Sequence, residues 1–304
     1  MQQPLPRLVA LAASAVLAGS LSGCAALTGD GTVGTADGVQ VAAAFYPLQY
    51  VAERVAGDHA QVTNLTAPGG EPHDLELTIK ETAEIAEADL VLLESGFQPA
   101  VDDAVDQNAQ GHVLDVASAV PLVPFSQHGV DSSELDPHFW QDPLMMAEVA
   151  DAVTRQLSSI DPAHAGAYAA NNAALQRDLR QLDHQFARGL SGCRRNTIVV
   201  SHDAFGYLQR YGLQVEPILG LSPEAEATPA DLARLQDLIR TEGITTVFSE
   251  TLVSKQTADS LAADTGARSR VLDPVEGLSD QTSDQDYLSL MRANLRALEE
   301  ANGC

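Results

Sequence analysis

Four side chains able to bind a transition metal stand in short motifs rich in turn-forming residues. They are His73 in GEPHD, His138 in DPHFW, His202 in SHDAF and Glu276 in LDPVEG. Zinc takes neutral imidazole nitrogens and carboxylate oxygens, usually as a four-coordinate tetrahedron. If the fold brings these residues together, the sequence offers a complete set of ligands for a borderline divalent metal.

The spacing of the four candidates excludes a zinc finger or ribbon, because such sites draw their ligands from one short segment. Only tertiary structure could assemble them. His73, His202 and Glu276 each come soon after a run that is predicted to be a strand. In open α/β sheets, ligand sites gather just beyond the carboxyl ends of the strands. The sequence therefore predicts a site at the carboxyl ends of one or two parallel sheets.

Short β-rich runs alternate with longer helical patterns along most of the chain, which favours parallel sheets in an α/β fold. The predicted strands are residues 39–45, 60–66, 89–93, 112–115, 196–201, 245–249 and 269–272. The helical patterns between them cover residues 48–56, 83–87, 204–210, 229–242 and 256–265.

The middle of the chain breaks this alternation, because residues 143–157 and 162–190 contain almost no strand pattern. Asp161 followed by Pro162 predicts the capped start of a helix. A helix of about 28 residues would be roughly 40 Å long and could link two lobes. The predicted division is an N-terminal α/β lobe at 39–160, a long linking helix at 161–191 and a C-terminal α/β lobe at 192–304.

The N-terminus is predicted to be an export signal, residues 1–23. Arg7 precedes an apolar run at 8–21 that is too short to span a bilayer as a helix. The run ends in LSGC, which resembles the lipobox of bacterial lipoproteins. This resemblance implies that Cys24 is acylated and that residues 24–38 form a flexible tether to the membrane. The alternative is an ordinary secretory signal with a chance cysteine.

The composition restricts the partners. A net charge of −25, with 17 basic against 42 acidic residues, makes nucleic acid an implausible partner. With Cys24 assigned to the anchor, Cys193 and Cys304 remain. An exported location permits a disulfide between them, although both could equally stay reduced.

Five motifs carry a resemblance to a known family: FYPL at 45–48, GEPHD at 70–74, DPHFW at 136–140, SHDAFGYL at 201–208 and GLSPEAE at 220–226. The chain resembles the zinc- and manganese-binding solute-binding proteins of bacterial ABC importers, most closely the zinc-binding members. The resemblance implies two lobes, each with a parallel-rich sheet flanked by helices, joined by one long helix with the metal between them. It also implies a monomeric, non-enzymatic lipoprotein that delivers zinc to an ABC permease.

Carried over by motif, the resemblance makes His73 and His138 the ligands from the N-terminal lobe. His202 stands where zinc-binding members have histidine and manganese-binding members have glutamate. Glu276 matches the fourth ligand, with Glu250, Asp284, Asp286 and a water molecule as open alternatives. Unlike many zinc-binding members, the chain has no histidine-rich loop before the second ligand, since residues 125–134 contain only His128.

Roles are also expected for residues near the candidate ligands and for the remaining histidines. Asp74, Asp203 and Glu226 could accept hydrogen bonds from the ligating imidazoles. Trp140 is expected to pack in the core behind the site. The remaining histidines are expected to be exposed or to cap helices: His59, His112, His164 and His184.

Three rival functions remain open on the sequence. A manganese-binding member of the same family and a metal-containing surface adhesin would share these motifs. A secreted zinc hydrolase would need a coordination position open to water, and the chain has no His-Glu-x-x-His motif. Four protein ligands favour carriage of the metal over catalysis.

Overall fold

The computed structural model describes residues 38–127 and 130–304. The predicted signal peptide, Cys24, the tether up to residue 37 and His128 lie outside the described residues. Within the described part of the chain, no helix has both the length and the apolar character that a membrane crossing needs.

The first lobe is built on a sheet of four parallel strands in the order β2-β1-β3-β4. Every residue of β3, with the sequence LVLL, is buried, as expected for a parallel strand covered on both faces. The elements are β1 (Val39–Ala43), α1 (Tyr46–Ala56), β2 (Ala60–Asn64), α2 (Ile79–Glu87), β3 (Leu90–Leu93), α3 (Pro99–Asn108) and β4 (His112–Asp115).

The segment between the lobes begins with an antiparallel hairpin of β5 (Pro124–Gln127) and β6 (Val130–Leu135). A short 3-10 turn, Phe139–Gln141, leads into α4 (Pro143–Ile160). The side chain of Asp142 accepts a hydrogen bond from the backbone N–H of Leu144 and so caps α4.

The long helix α5 (Ala165–Gly189) packs against α1, α4 and α8 (Tyr287–Asn302). Its 25 residues correspond to roughly 38 Å at 1.5 Å per residue. Asp161 takes the N-cap position with Pro162 in the first turn, as expected, but that turn is a 3-10 turn at Pro162–His164, and the Asp161 side chain caps no backbone N–H. The Asp161 carboxylate instead accepts hydrogen bonds from His164 Nδ1 and the Tyr168 hydroxyl, at 2.6 and 2.8 Å.

The second lobe repeats the architecture with a parallel sheet in the order β10-β9-β7-β8. Of residues 204–210, expected to be helical, only 206–210 are, and they belong to a 3-10 segment at Gly206–Tyr211. The other elements are β7 (Thr197–Val200), β8 (Gln214–Pro217), α6 (Pro229–Glu242), β9 (Thr246–Ser249), α7 (Gln256–Thr265) and β10 (Arg268–Val271).

The C-terminus returns to the base of the second sheet. α8 ends at Asn302, because the left-handed backbone of Gly303 stops the helix. A disulfide joins Cys304 to Cys193 in the segment before β7. The backbone N–H groups of Arg194 and Arg195 both donate to the carbonyl of Asn302. The last helix is therefore fastened to the start of the sheet that carries His202.

Candidate metal centre

The fold brings His73, His138, His202 and Glu276 into one cluster. Their ligand atoms all lie within 4.8 Å of one another. The Nε2 atoms of His202, His138 and His73 stand 3.2, 3.4 and 3.6 Å from a single oxygen, Oε1 of Glu276. Two ligands of a tetrahedral zinc with bonds of about 2.0 Å are about 3.3 Å apart. The distances to Glu276 therefore fit ligands gathered round one zinc ion.

The cluster is nearly closed to solvent. The side chains of His138 and His202 are 0% exposed and that of Glu276 is 2% exposed, whereas that of His73 is 10% exposed. Neither His73 Nε2 nor His138 Nε2 has a hydrogen-bond partner. Buried polar atoms are normally paired, and a metal ion is the partner that converging imidazole nitrogens can share.

Each ligand is placed by a loop at the end of a regular element. His73 lies between β2 and α2, His138 immediately before the 3-10 turn that leads into α4, and His202 two residues after β7. These positions agree with the expectation that the site gathers beyond strand ends. The residues singled out by the sequence motifs therefore lie together beyond the ends of the strands.

The loop carrying Glu276 has an unusual backbone. Val275 has φ of +61°, a conformation that a β-branched residue rarely adopts. The Pro274 carbonyl accepts hydrogen bonds from Trp140 Nε1 at 2.8 Å and Gln141 Nε2 at 2.5 Å, while the Val275 N–H donates to Asp273. Such a backbone costs on the order of 1–3 kcal/mol, so surrounding contacts must hold it. The loop is thereby fixed with Glu276 turned into the cluster.

Two carboxylates orient the imidazoles from behind. Asp136 Oδ1 lies 2.8 Å from His138 Nδ1, and Glu250 Oε2 lies 2.7 Å from His202 Nδ1. Glu250 also accepts the backbone N–H of His202 at 3.0 Å. Such contacts fix the tautomer and direct Nε2 toward a metal.

These orienting partners differ from the predicted ones, Asp74, Asp203 and Glu226, so that prediction is wrong. Asp136 could have been found, since it stands two residues before His138 in the DPHFW motif. Glu250 could not, because it meets His202 only through the pairing of β7 with β9.

The other acids considered for the fourth position have different roles. Glu250 lies against His202 Nδ1, whereas Glu276 lies against Nε2 of the same ring. Asp286 caps α8 by accepting the backbone N–H of Ser289 at 2.8 Å, and Asp284 is exposed to solvent. Of these acids, only Glu276 has an oxygen in the cluster of ligand atoms.

In the metal-free cluster, the pKa values of Glu276 and His202 depend on each other's charge. Burial alone would raise the pKa of Glu276, but the charge of His202 and the nearby rings of His138 and His73 hold it well below its usual range. Burial opposes charge on His202 as well, yet Glu250 and Glu276 raise its pKa well above the ordinary value. Burial lowers the pKa of His73. In the metal-free cluster, these two shifts favour a protonated His202 beside an ionised Glu276.

Aromatic rings back the cluster. Phe97 lies 4.7 Å from His73 and Trp140 lies 5.2 Å from His138, measured between ring centroids. Trp140 is fully buried, which agrees with its expected place in the core. These rings reduce the local dielectric around the ligands and strengthen their interaction with a cation.

The remaining histidines lie away from the cluster. His112 and His184 are exposed, as expected. His164 is also exposed, as expected, and it bonds to Asp161. Its ring stacks on that of His59, which is half-buried rather than exposed, with the two centroids 4.0 Å apart.

Comparisons with known proteins agree with this geometry. A family model described as zinc-uptake complex component A, periplasmic (ZnuA), matches residues 41–301. The high-affinity zinc uptake system protein ZnuA of Bacillus subtilis is 31% identical over 296 residues, covering 91% of this chain and 93% of that protein. The chain spans 56% of the length of the zinc-binding lipoprotein AdcA of Streptococcus pneumoniae.

Solved structures give the same assignment. The Zn(II)-bound ZnuA-like domain of Streptococcus pneumoniae AdcA superposes with a TM-score of 0.76 at 30% identity, over 88% of this chain and 100% of the other. A mutant of the laminin-binding adhesin Lmb of Streptococcus agalactiae gives 0.80 at 29% identity, over 87% and 100%. Matching motifs, two parallel-sheet lobes and a three-histidine cluster lead to one conclusion: the chain belongs to the ZnuA family.

Proposed function

We propose that the protein is an extracytoplasmic solute-binding protein that captures one zinc ion and delivers it to an ABC importer permease. The observation that carries the proposal is the convergence of three imidazole nitrogens on one buried glutamate oxygen. His73, His138, His202 and Glu276 are the proposed ligands. Four protein ligands would complete a tetrahedron and leave no position for a reactive water, which supports carriage rather than catalysis.

Zinc is the proposed cargo because imidazole-rich sites suit zinc, whereas manganese prefers oxygen ligands. We expect the purified chain to bind one zinc ion per molecule and to retain it against an equal concentration of manganese. Metal analysis after dialysis, followed by titration with a competing chromophoric chelator, measures both quantities. Displacement of zinc by manganese at comparable concentration would instead identify a manganese-binding protein.

Two other functions can be separated from zinc delivery by direct assay. The likeness to a laminin-binding adhesin supports adhesion as a second candidate, with the metal in a structural role. Immobilised laminin that captures the zinc-loaded chain with saturable affinity would support adhesion, and its failure to do so would count against it. Zinc-dependent hydrolysis of ester or peptide substrates would contradict the non-enzymatic proposal.

Membrane attachment is proposed to depend on a lipid on Cys24, with the protein acting as a monomer beside its permease. Changing Cys24→Ala is expected to release the protein from the membrane fraction or leave its signal unprocessed, because the thiol is the site of acylation. Cell fractionation and the mass of the mature chain provide the readout. Normal processing with unchanged membrane association would show that the lipobox interpretation is wrong, and unchanged zinc binding would confirm that the variant folds.

A further inference from the structure

The carboxylate that orients His138 is itself held by a segment of the second lobe. Asp136 is 4% exposed, and its Oδ1 atom accepts the backbone N–H of His138 at 3.0 Å as well as lying 2.8 Å from His138 Nδ1. Its backbone carbonyl accepts a hydrogen bond from the Tyr207 hydroxyl at 2.8 Å, and that hydroxyl accepts the backbone N–H of Val123 at 3.2 Å. Tyr207 lies in the 3-10 segment that follows His202. One stretch of chain therefore supplies one ligand and contacts the carboxylate that orients another.

Gly206, the residue before Tyr207, lies directly against the Asp136 carboxylate. A Cβ atom at position 206 would stand 2.6 Å from Asp136 Oδ2, which is much closer than van der Waals contact. Gly206 is not among the glycines with positive φ, so other residue types could adopt its backbone conformation. The close approach of the carboxylate, rather than the backbone conformation, therefore requires a glycine at this position.

A cavity beside this contact indicates how the protein would accommodate a side chain at position 206. Asp136, Gly206 and Tyr207 line a cavity of about 420 Å³, which gives the Asp136 carboxylate space in which to turn. The backbone of Asp136 is held more firmly, because its N–H donates to the Val123 carbonyl at 2.9 Å and its carbonyl accepts from Tyr207. We therefore expect an added methyl group to turn the Asp136 side chain away from His138 Nδ1 while the backbone stays in place.

We propose that Gly206 and Tyr207 are positioning residues for zinc binding, which act by holding the Asp136 carboxylate against His138. Gly206 leaves room for the carboxylate, and Tyr207 fixes the backbone that carries it. His138 and His202 are thereby oriented by neighbouring residues of one segment, although they belong to different parts of the chain. The effect on zinc rests on the proposed function, whereas the contact between Asp136 and His138 is present without metal.

The zinc affinity of the Gly206→Ala variant, measured by chelator competition, tests the proposal. Loss of a group that orients a ligating histidine weakens metal binding about 10- to 100-fold, and we expect a loss of that size. Gly166→Ala is the matched control, because Gly166 is exposed on α5 and a Cβ atom there would meet nothing within 4 Å. That control is expected to bind zinc as tightly as the unmodified protein. Unchanged zinc affinity in Gly206→Ala would overturn the proposal.

A double-mutant cycle distinguishes positioning from a general loss of packing. Asp136→Ala removes the atom that a methyl group at position 206 would meet. Adding Gly206→Ala to Asp136→Ala is therefore expected to cause no further loss of zinc affinity. Losses that add in the double variant would show that Gly206 does not act through Asp136, and would overturn the proposal.

Tyr207→Phe replaces Gly206→Ala in the cycle if the latter fails to fold. It removes the hydroxyl that holds the Asp136 backbone and is expected to weaken zinc binding severalfold, again with no further loss in the Asp136→Ala background. Tyr211→Phe is its control, because the Tyr211 hydroxyl belongs to the same 3-10 segment but bonds to Asp183. Equal zinc affinities of Tyr207→Phe and Tyr211→Phe would contradict the role of Tyr207.

A measurement on the metal-free protein separates this inference from the proposed function. The NMR signals of the His138 ring nitrogens, assigned by their absence from His138→Gln, report the contact of Nδ1 with Asp136. Gly206→Ala is expected to shift these signals in the same direction as Asp136→Ala, and unchanged signals would overturn the inference. Failure of the unmodified protein to bind zinc would count against the proposed function, while shifted His138 signals would still establish the positioning contact.

Discussion

Changing His202→Ala is expected to lower the affinity for zinc by at least a thousandfold, about 4.1 kcal/mol. The change removes one of three nitrogen donors from a closed site. It also leaves the buried Glu250 without the imidazole N–H and charge that it now faces at 2.7 Å. An unpaired buried carboxylate is costly, so the loss includes more than one coordination bond. Chelator competition at neutral pH gives the affinities.

Matched variants show whether the loss is specific to the cluster. Glu276→Gln keeps the shape of the side chain but removes the charge, so a drop of at least tenfold, about 1.4 kcal/mol, is expected. Asp284→Asn, at an exposed position of the same segment, should have little effect. Retention of zinc within tenfold by His202→Ala would place the metal elsewhere, and a loss in Asp284→Asn alone would assign the fourth ligand to that residue.

Zinc affinity is expected to fall as the pH falls, starting above 6.5, the ordinary pKa of histidine. In the metal-free protein, the Glu250 and Glu276 carboxylates raise the pKa of His202 despite burial, which favours a proton on its imidazole. Zinc needs the neutral imidazole, so binding near neutral pH must release that proton. The pKa of His138 is also raised, by Asp136 and Glu276 against the effect of burial. Each proton released makes the affinity change about tenfold per pH unit.

Calorimetry in buffers with different ionisation enthalpies measures the protons released, and chelator competition at pH 7, 6 and 5 measures the affinity. We expect at least one proton per zinc near neutral pH and more than one below it. Glu250→Gln is the informative control, because loss of that negative charge lowers the pKa of His202 and reduces proton release at neutral pH. A zinc affinity that stays constant from pH 7 to 5 would contradict a site of three histidines.

Much of the fold could be predicted because its signals are local. The buried strands are apolar runs between turn residues, and six of the seven predicted runs contain the observed strand within them. The seventh, predicted at 269–272, is shifted by one residue from β10. β8 was missed because its sequence, QVEP, has a single apolar side chain apart from its terminal proline. Pairing with β7, rather than composition, makes that segment a strand.

The candidate site also has features that local sequence predicts and features that depend on tertiary structure. The four residues of the cluster could be singled out as candidate ligands because turn residues and neighbouring side chains form a recognisable motif round each of them in the sequence. The orienting role of Glu250 could not be predicted, since it depends on the pairing of β7 with β9. Local sequence therefore indicates what binds, while tertiary structure decides what supports the binding.

The order of the four ligands along the chain has a consequence for secretion. The first, His73, and the last, Glu276, enclose most of the folded polypeptide, and the loop of Glu276 is fixed by the Pro274 carbonyl against Trp140 and Gln141. No short segment of a nascent or unfolded chain can reproduce this arrangement. If the predicted signal peptide directs export of the unfolded chain, the binding site would assemble only on the far side of the membrane, and the exported chain would carry no zinc out of the cell.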